Sequence, residues 1–336
     1  MAAPGQQPFL PENLVGCSCQ NHLMQPSFDA DSRRAPEPTQ PYGSAGDLPT
    51  VQTLRTQLAE MRALARVVPG VDTSQLDSTE RGIDELVRVV DAFYELLGPR
   101  CWVFTDDLNV SEMGKIVAES PDGSDAERRL IAYYQQDTPL DVAVARLHRF
   151  PAMKPRLALV DKAKRDYREG RYSTVLVLLA VMDGFVQDIT EHDAQRRNLT
   201  TTEAQELVAW DSVAGHHMGL SNAHDTFWRA FKKTRSEPTT ELFRNGIMHG
   251  MLVDFDNDVV ATKAWNRLFA VTDWATGRDK KAQPSAPEPT IEDVVAKYIE
   301  VQADRARLEE WLPHEHTLAT DETQWSNGTA PALVDS

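Results

Sequence analysis

The sequence predicts an all-α fold, a helical bundle with an additional helical region on its N-terminal side. Two observations carry that reading. Apolar residues recur three and four apart over most of the chain, the period of one helix face, and helix start and stop residues stand at the ends of those runs.

Taken in order, residues 1–47 are rich in Pro, Gln, Ser and Gly, too polar to repay the entropy of ordering, and are expected to be a disordered tail. Residues 48–150 form the accessory helical region. Val51, Leu54, Leu58, Met61 and Leu64 place a helix over Leu48 to Val68. Ile83, Leu86, Val87, Val90, Phe93, Tyr94 and Leu97 place a second, with Asp77 and Glu80 as start signals and Gly98-Pro99 as the stop. Trp102, Val103 and Phe104 then read as a short core-plugging run. The next two carboxylates, Asp106 and Asp107, suit a turn better than a metal pair. A helix from Asp125 to Gln136 and another entered through Thr138-Pro139, with proline at the first helical position, lead to Phe150.

Residues 151–276 make the helical bundle itself. Lys154 to Gly170 reads as a helix with a basic exposed face of Arg156, Lys162, Lys164, Arg165 and Arg168. Arg171 to Asp193 is the most apolar helix and is therefore expected to be central. Asp183 interrupts it, and a buried carboxylate needs a partner. It serves either as a structural partner of a basic or backbone donor or as a support that orients Arg244 or His249. Residues 194–220 are polar, with a short helix near Glu203 to Trp210. His216 and His217 are neighbours that cannot face one way on a helix, so they read as loop histidines. A helix over Asn222 to Arg235 presents Trp228, Arg229, Lys232, Lys233 and Arg235, a basic and aromatic face suited to RNA phosphates. An ordinary solvated face with Trp228 in the core accounts for the same residues and is preferred. A linker over 277–289, a helix over 290–312 and a disordered tail over 313–336 complete the chain.

With 336 residues the chain has room for one large or two modest domains. Its formal charge of −16 argues against a protein that coats nucleic acid through a broad basic face. The charge is uneven. Residues 151–275 hold 16 Lys and Arg against 17 Asp and Glu, so about −15 lies elsewhere. The three cysteines, Cys17, Cys19 and Cys101, are too few for a disulfide framework. Cys17, Cys19 and His22 lack a fourth ligand. The start MAAPGQQPFLPENL has neither a basic nor an apolar leader segment, and the longest apolar run, Val175 to Met182, falls short of the ~20 residues of a membrane span. A cytoplasmic protein with no membrane association, no metal and no cofactor is expected.

The chemistry concentrates in Glu241 to Ala275, ELFRNGIMHGMLVDFDNDVVATKAWNRLFAVTDWA. Thr239 or Thr240 is expected to cap the helix that carries Arg244, Asn245 and His249. A permanently charged guanidinium, an imidazole that titrates near neutrality and a side-chain amide suit the holding and cleavage of a phosphodiester. A His-Gly pair is also an ordinary helix end, and Arg244 could simply pair with a carboxylate. Arg244 and His249 stand about 140° apart on a regular helix. To meet at one phosphate, Gly246 must bend the helix, the arginine must swing round, or a second protomer must present its own motif. The reaction needs no metal: His249 suits proton transfer, Arg244 charge stabilisation and Asn245 orientation.

The amphipathic helix REGRYSTVLVLLAVMDGFVQDI, an insert, then LFRNGIMHG and the helix NDVVATKAWNRLFAVTDWA resemble the HEPN superfamily, whose hallmark is Arg, a polar residue, a few variable residues and His. Arg244, Asn245 and His249 fall on that hallmark, and the resemblance covers about residues 151–276. It implies a helical bundle that dimerises with its motifs apposed. In many members it also implies metal-independent RNA cleavage in toxin, anti-phage or RNA-processing settings, while other members serve as nucleotide-binding or dimerisation modules. The expectation is a homodimeric ribonuclease acting on RNA, with an antitoxin or other regulatory partner. The alternative is a non-catalytic module of the same fold, and a metal-dependent hydrolase built on Asp106, Asp107 and the histidines ranks third.

Overall fold

A computed structural model of the protein describes residues 42–67, 72–190 and 211–282. Among them all regular structure is helical: only two isolated bridges occur, Tyr42 with His216 and Arg235 with Leu252. Met1–Gly277 cluster as one unit and Arg278–Ser336 as a second. In the first, a single hydrophobic core runs from Ala45 to Ala275, so residues 48–150 and 151–276 share one interior.

The last residues of the expected tail are structured. Ser44 and Asp47 form a reciprocal cap around a short 3-10 turn, and Ser44 Oγ and Ala45 N both donate to Asp91. Helix α1 (Pro49–Val67) follows. Of its predicted apolar stripe, Val51 and Leu58 are buried, while Leu54, Met61 and Leu64 stay exposed. Helix α2 (Ser74–Leu97) buries Ile83, Val90, Phe93, Tyr94 and Leu97, and stops at Gly98-Pro99 as expected. Trp102, Val103 and Phe104 enter the core. Asp106 and Asp107 lie in the turn that Leu108 N closes onto Thr105 O at 3.0 Å.

Helix α3 (Val110–Glu119) was not anticipated, although Asn109 is a legible cap whose side chain accepts from Glu112 N at 3.1 Å. Helix α4 (Gly123–Tyr134) starts earlier than expected because Asp122, not Asp125, caps it. Helix α5 (Asp137–Arg146) likewise starts one residue before Thr138, whose side chain caps nothing. The 3-10 turn Pro151–Arg156 occupies the first part of the predicted Lys154–Gly170 helix, leaving α6 as Leu157–Arg168, with Gly170 at φ +73° just beyond it.

Helix α7 (Val175–Ile189) is the apolar helix of the sequence. Tyr172–Ile189 is long and apolar enough, by length and composition, to cross a membrane. Here Val175, Leu178, Leu179, Met182, Phe185 and Val186 face the core, but Leu176 is 39% exposed, so α7 is not the central element. That place belongs to α10 (Asp258–Ala282), in which every residue from Val260 to Ala275 is buried. It also runs through the start of the expected 277–289 linker. Residues 1–41 of the expected 1–47 tail, the rest of the 277–289 linker, the 290–312 helix, the 313–336 tail, the Glu203–Trp210 helix, and Cys17, Cys19 and His22 lie outside the described residues.

Helix α10 can be central because its buried polar residues reach partners, which offsets much of the cost of burying them, although Arg267 Nε and Nη1 and Trp265 Nε1 have none. Asn266 accepts from Val103 N at 3.0 Å and donates to Val103 O at 2.8 Å and Tyr134 Oη at 3.1 Å. Lys263 Nζ donates to Thr240 O and Glu241 Oε1, both at 2.8 Å, and lies 3.4 Å from Glu127. Arg267 donates to Cys101 O and packs over the Phe227 ring; burial pushes its pKa down to about 10. Thr262 shares a hydrogen bond with Tyr167 Oη.

Asp273 accepts from Asp106 N at 2.8 Å and lies 3.8 Å from Arg146, which is 3.4 Å from Asp107. Burial, then the charges of Asp106 and Asp107, push the Asp273 carboxyl well above the ordinary carboxylate range. A carboxyl raised by folding contributes stability that is complete below its unfolded pKa of about 3.9 and is lost as pH rises through the folded value. Asp273→Asn keeps an acceptor for Asp106 N and cannot ionise. In urea unfolding it is expected to be as stable as the wild type near pH 4 and more stable at pH 8. A variant that is less stable at pH 8 would show that the ionised carboxylate is held favourably after all.

Candidate active site

The motif sits on a much shorter helix than the sequence suggests. Helix α9 spans only Arg244–Met248, and neither Thr239 nor Thr240 caps it. Thr239 Oγ1 instead accepts from Glu241 N at 3.2 Å, forming a local turn, and Phe243 takes the cap position without a side-chain bond. The helix ends as the His-Gly pair foretold. Gly250, at φ +67°, donates to Ile247 O, and Met251 N donates to Gly246 O at 2.8 Å. That pair of bonds is the Schellman arrangement, which needs a residue comfortable in the left-handed region.

A helix of five residues is too short to hold itself together, so its neighbours fix it. Leu242, Ile247 and Leu252 are buried anchors on either side. Gly246 does not act as a bend. A Cβ there would stand 2.8 Å from Leu252 Cδ1 and 2.9 Å from Phe231 Cδ2, so glycine is required for the close packing of two flanking segments.

Arg244 turns toward α7. Its Nη2 donates to Asp183 Oδ2 at 2.5 Å and its Nη1 donates to Asn245 Oδ1 at 3.1 Å. The Arg244 and Asp183 side chains are each 15% exposed. Asp183 Oδ1 and Arg244 Nε are buried without protein partners, so the pair is not saturated. Asp183 thus meets the arginine and not the histidine. His249, the residue after α9, is exposed and outside this hydrogen-bonded group. Within one chain the structure brings together Arg244, Asn245 and Asp183 and leaves His249 facing solvent.

Arg156, read from sequence as part of an exposed basic face, packs over Gly184, the residue after Asp183. A Cβ on Gly184 would fall 2.6 Å from its guanidinium. It bonds Ala152 O and Asp188 rather than solvent. Helix α8 (Leu220–Trp228) also departs from expectation. It ends seven residues before Arg235, and Trp228 is 41% exposed rather than in the core. The chain beyond it is not helical because tertiary contacts outweigh helix propensity there: Arg235 N donates to Met251 O at 2.8 Å, and Val253 N donates to Arg235 O at 3.2 Å.

The loop histidines divide. His217 is exposed, whereas His216 is buried and stacked on Tyr94 with ring centroids 4.2 Å apart. Its Nδ1 accepts from Met218 N, which leaves Nε2 to donate to Gly43 O, a neutral ring whose pKa burial lowers. Among the described residues no three His, Cys, Asp or Glu side chains are grouped as metal ligands.

Comparison of the chain with protein-family models, with curated proteins and with solved structures finds no match.

Proposed function

We propose that the protein is a metal-independent endoribonuclease of HEPN type, acting as a homodimer. The observation that carries this reading is the division of labour on α9: a guanidinium oriented by Asp183 and Asn245 at its first residue, and a solvent-facing imidazole just past its last. Arg244 uses one donor on each terminal nitrogen and has its Nε buried, so the second N–H of each terminal nitrogen is what it offers an anion. A ribose 2′-hydroxyl loses its proton to one His249 and forms a bond to phosphorus. The 5′-oxygen leaves with a proton from the other His249, giving a cyclic phosphate and a free 5′-hydroxyl. Arg244 stabilises the charge gathering on the phosphate oxygens. Exposed Met248 and Val253 flank the histidine and supply apolar surface for a second protomer or for an inhibitory partner such as an antitoxin.

A second reading has its own support. Asp183 already sets a carboxylate against the Arg244 charge, 2.5 Å from Nη2, which suits a non-catalytic module that binds a phosphate or dimerises.

The test is cleavage of a labelled RNA by the full-length protein in excess chelator. His249→Ala and Arg244→Lys are each expected to lower the rate by about 10²-fold or more, within the range for loss of a general acid or base or of an oriented charge. Cleavage that persists in both variants, or that chelator abolishes, would overturn the proposal. Absence of cleavage beside retained RNA binding would favour the non-catalytic module.

A further inference from the structure

The most concentrated unopposed positive charge among the described residues lies beside α9. From Trp228 to Ser236 the chain carries Arg229, Lys232, Lys233 and Arg235 and no acidic residue, in a protein whose formal charge is −16. Residues 232–238 are all exposed, as is Trp228. The arginines are set against rings rather than carboxylates. Arg229 lies 5.0 Å from the Phe243 ring centre and 5.9 Å from that of Phe231, and Arg235 lies 5.4 Å from Phe231. Phe231 and Phe243 meet edge to face at 5.3 Å. A guanidinium laid over a ring is fixed in place yet keeps its N–H edge free for phosphate oxygens. An exposed indole offers a face on which any base can stack.

This strip is tied to the motif at two points. Arg235 pairs through its backbone with Met251 and Val253, directly after the His249-Gly250 helix end. Phe231 packs on Gly246 in the middle of α9. At the far end of the paired segments, where Thr239 N meets Asp254 O, the surface turns acidic with Glu237, Asp254, Asp256 and Asp258. Positive charge is therefore confined to a narrow track that leads toward His249, bounded by groups that repel a second phosphate backbone.

We infer that Trp228 to Arg235 is a docking track for single-stranded RNA, holding the nucleotides next to the bond presented to His249. Lys232, Lys233 and the ring-mounted arginines hold phosphates, and Trp228 stacks a base. The track deepens the ribonuclease reading by naming a single strand as its substrate, and its binding test is independent of cleavage.

Binding is measured with full-length protein carrying His249→Ala, so that the RNA stays intact, by fluorescence anisotropy of an unstructured labelled 20-mer in chelator. Lys232→Glu with Lys233→Glu is expected to weaken binding about tenfold or more. It should also flatten the dependence of log affinity on log salt by about 1.4, the contribution of two phosphates on a single strand. Trp228→Ala is expected to weaken binding by about tenfold, and Trp228→Phe to restore most of it, as stacking and not folding requires. A duplex of the same sequence is expected to bind more weakly. Three results would overturn the track: no binding to the single strand, binding unchanged by the lysine and tryptophan variants, or capture of anionic vesicles in place of RNA. Track variants that lose binding while the otherwise unaltered protein cuts no RNA would keep the track and remove the nuclease reading.

Discussion

Arg244→Met is expected to cost the fold about 3 to 5 kcal/mol, because it strips the partner from a carboxylate that is mostly removed from water. Asp183 is only 15% exposed at its side chain and its Oδ1 already lacks a partner. Once Arg244 is gone, neither oxygen has a cation. The double change Arg244→Met with Asp183→Leu is expected to regain most of the loss, since an apolar pair of similar volume leaves no charge uncompensated. Urea unfolding of the four proteins in that cycle reads the coupling. A single variant within about 1 kcal/mol of wild type would mean that Asp183 is hydrated, and that the pair is a surface contact. The cycle also bears on catalysis. Arg244→Lys keeps a cation for Asp183 while removing the planar fork, so it separates loss of phosphate recognition from loss of structure.

Asn266→Leu is the second substitution with a large expected effect, about 3 kcal/mol or more of lost stability. Two buried backbone groups of Val103 depend on one side-chain amide, and each orphaned group costs about 1 to 3 kcal/mol. Tyr134 Oη loses an interaction as well. Leucine keeps the volume, so cavity formation does not confuse the result. Thermal and urea unfolding should both report the loss. A change under about 1 kcal/mol would show that packing and the bonds of Trp102 and Phe104 to Leu97, Glu127 and Tyr94 hold the run without Asn266.

Much of the helical content was legible because it depends on local chemistry. The stripe of α2, its stop at Gly98-Pro99 and the His-Gly end of α9 are decided by residues within a turn of one another. The core run at Trp102 to Phe104 was legible for the same reason, from apolar residues close in sequence. What could not be read locally was the rank of the helices. Hydropathy makes α7 central, whereas α10 occupies the middle, since Lys263, Asn266, Arg267 and Asp273 reach partners such as Cys101, Val103, Glu127 and Tyr134 far away in the chain. The same blindness affects the candidate site. Arg244, Asn245 and Asp183 are joined as a carboxylate in an apolar helix suggests, yet the start of α9 at Arg244 and the non-helical path of residues 229–236 follow from contacts with Met251, Leu252 and Phe231. The cap at Asn109 is a local signal too, since its side chain accepts from Glu112 N three residues on.

Because α9 is a single turn and a fraction, it has no cooperativity of its own. Its persistence is borrowed from the Phe231 ring seated on Gly246 and from the backbone ladder that Arg235 makes with Met251 and Val253. Local opening of that ladder would scatter the guanidinium and the imidazole in one event, and whatever clamps the ladder shut lengthens the time both spend in register.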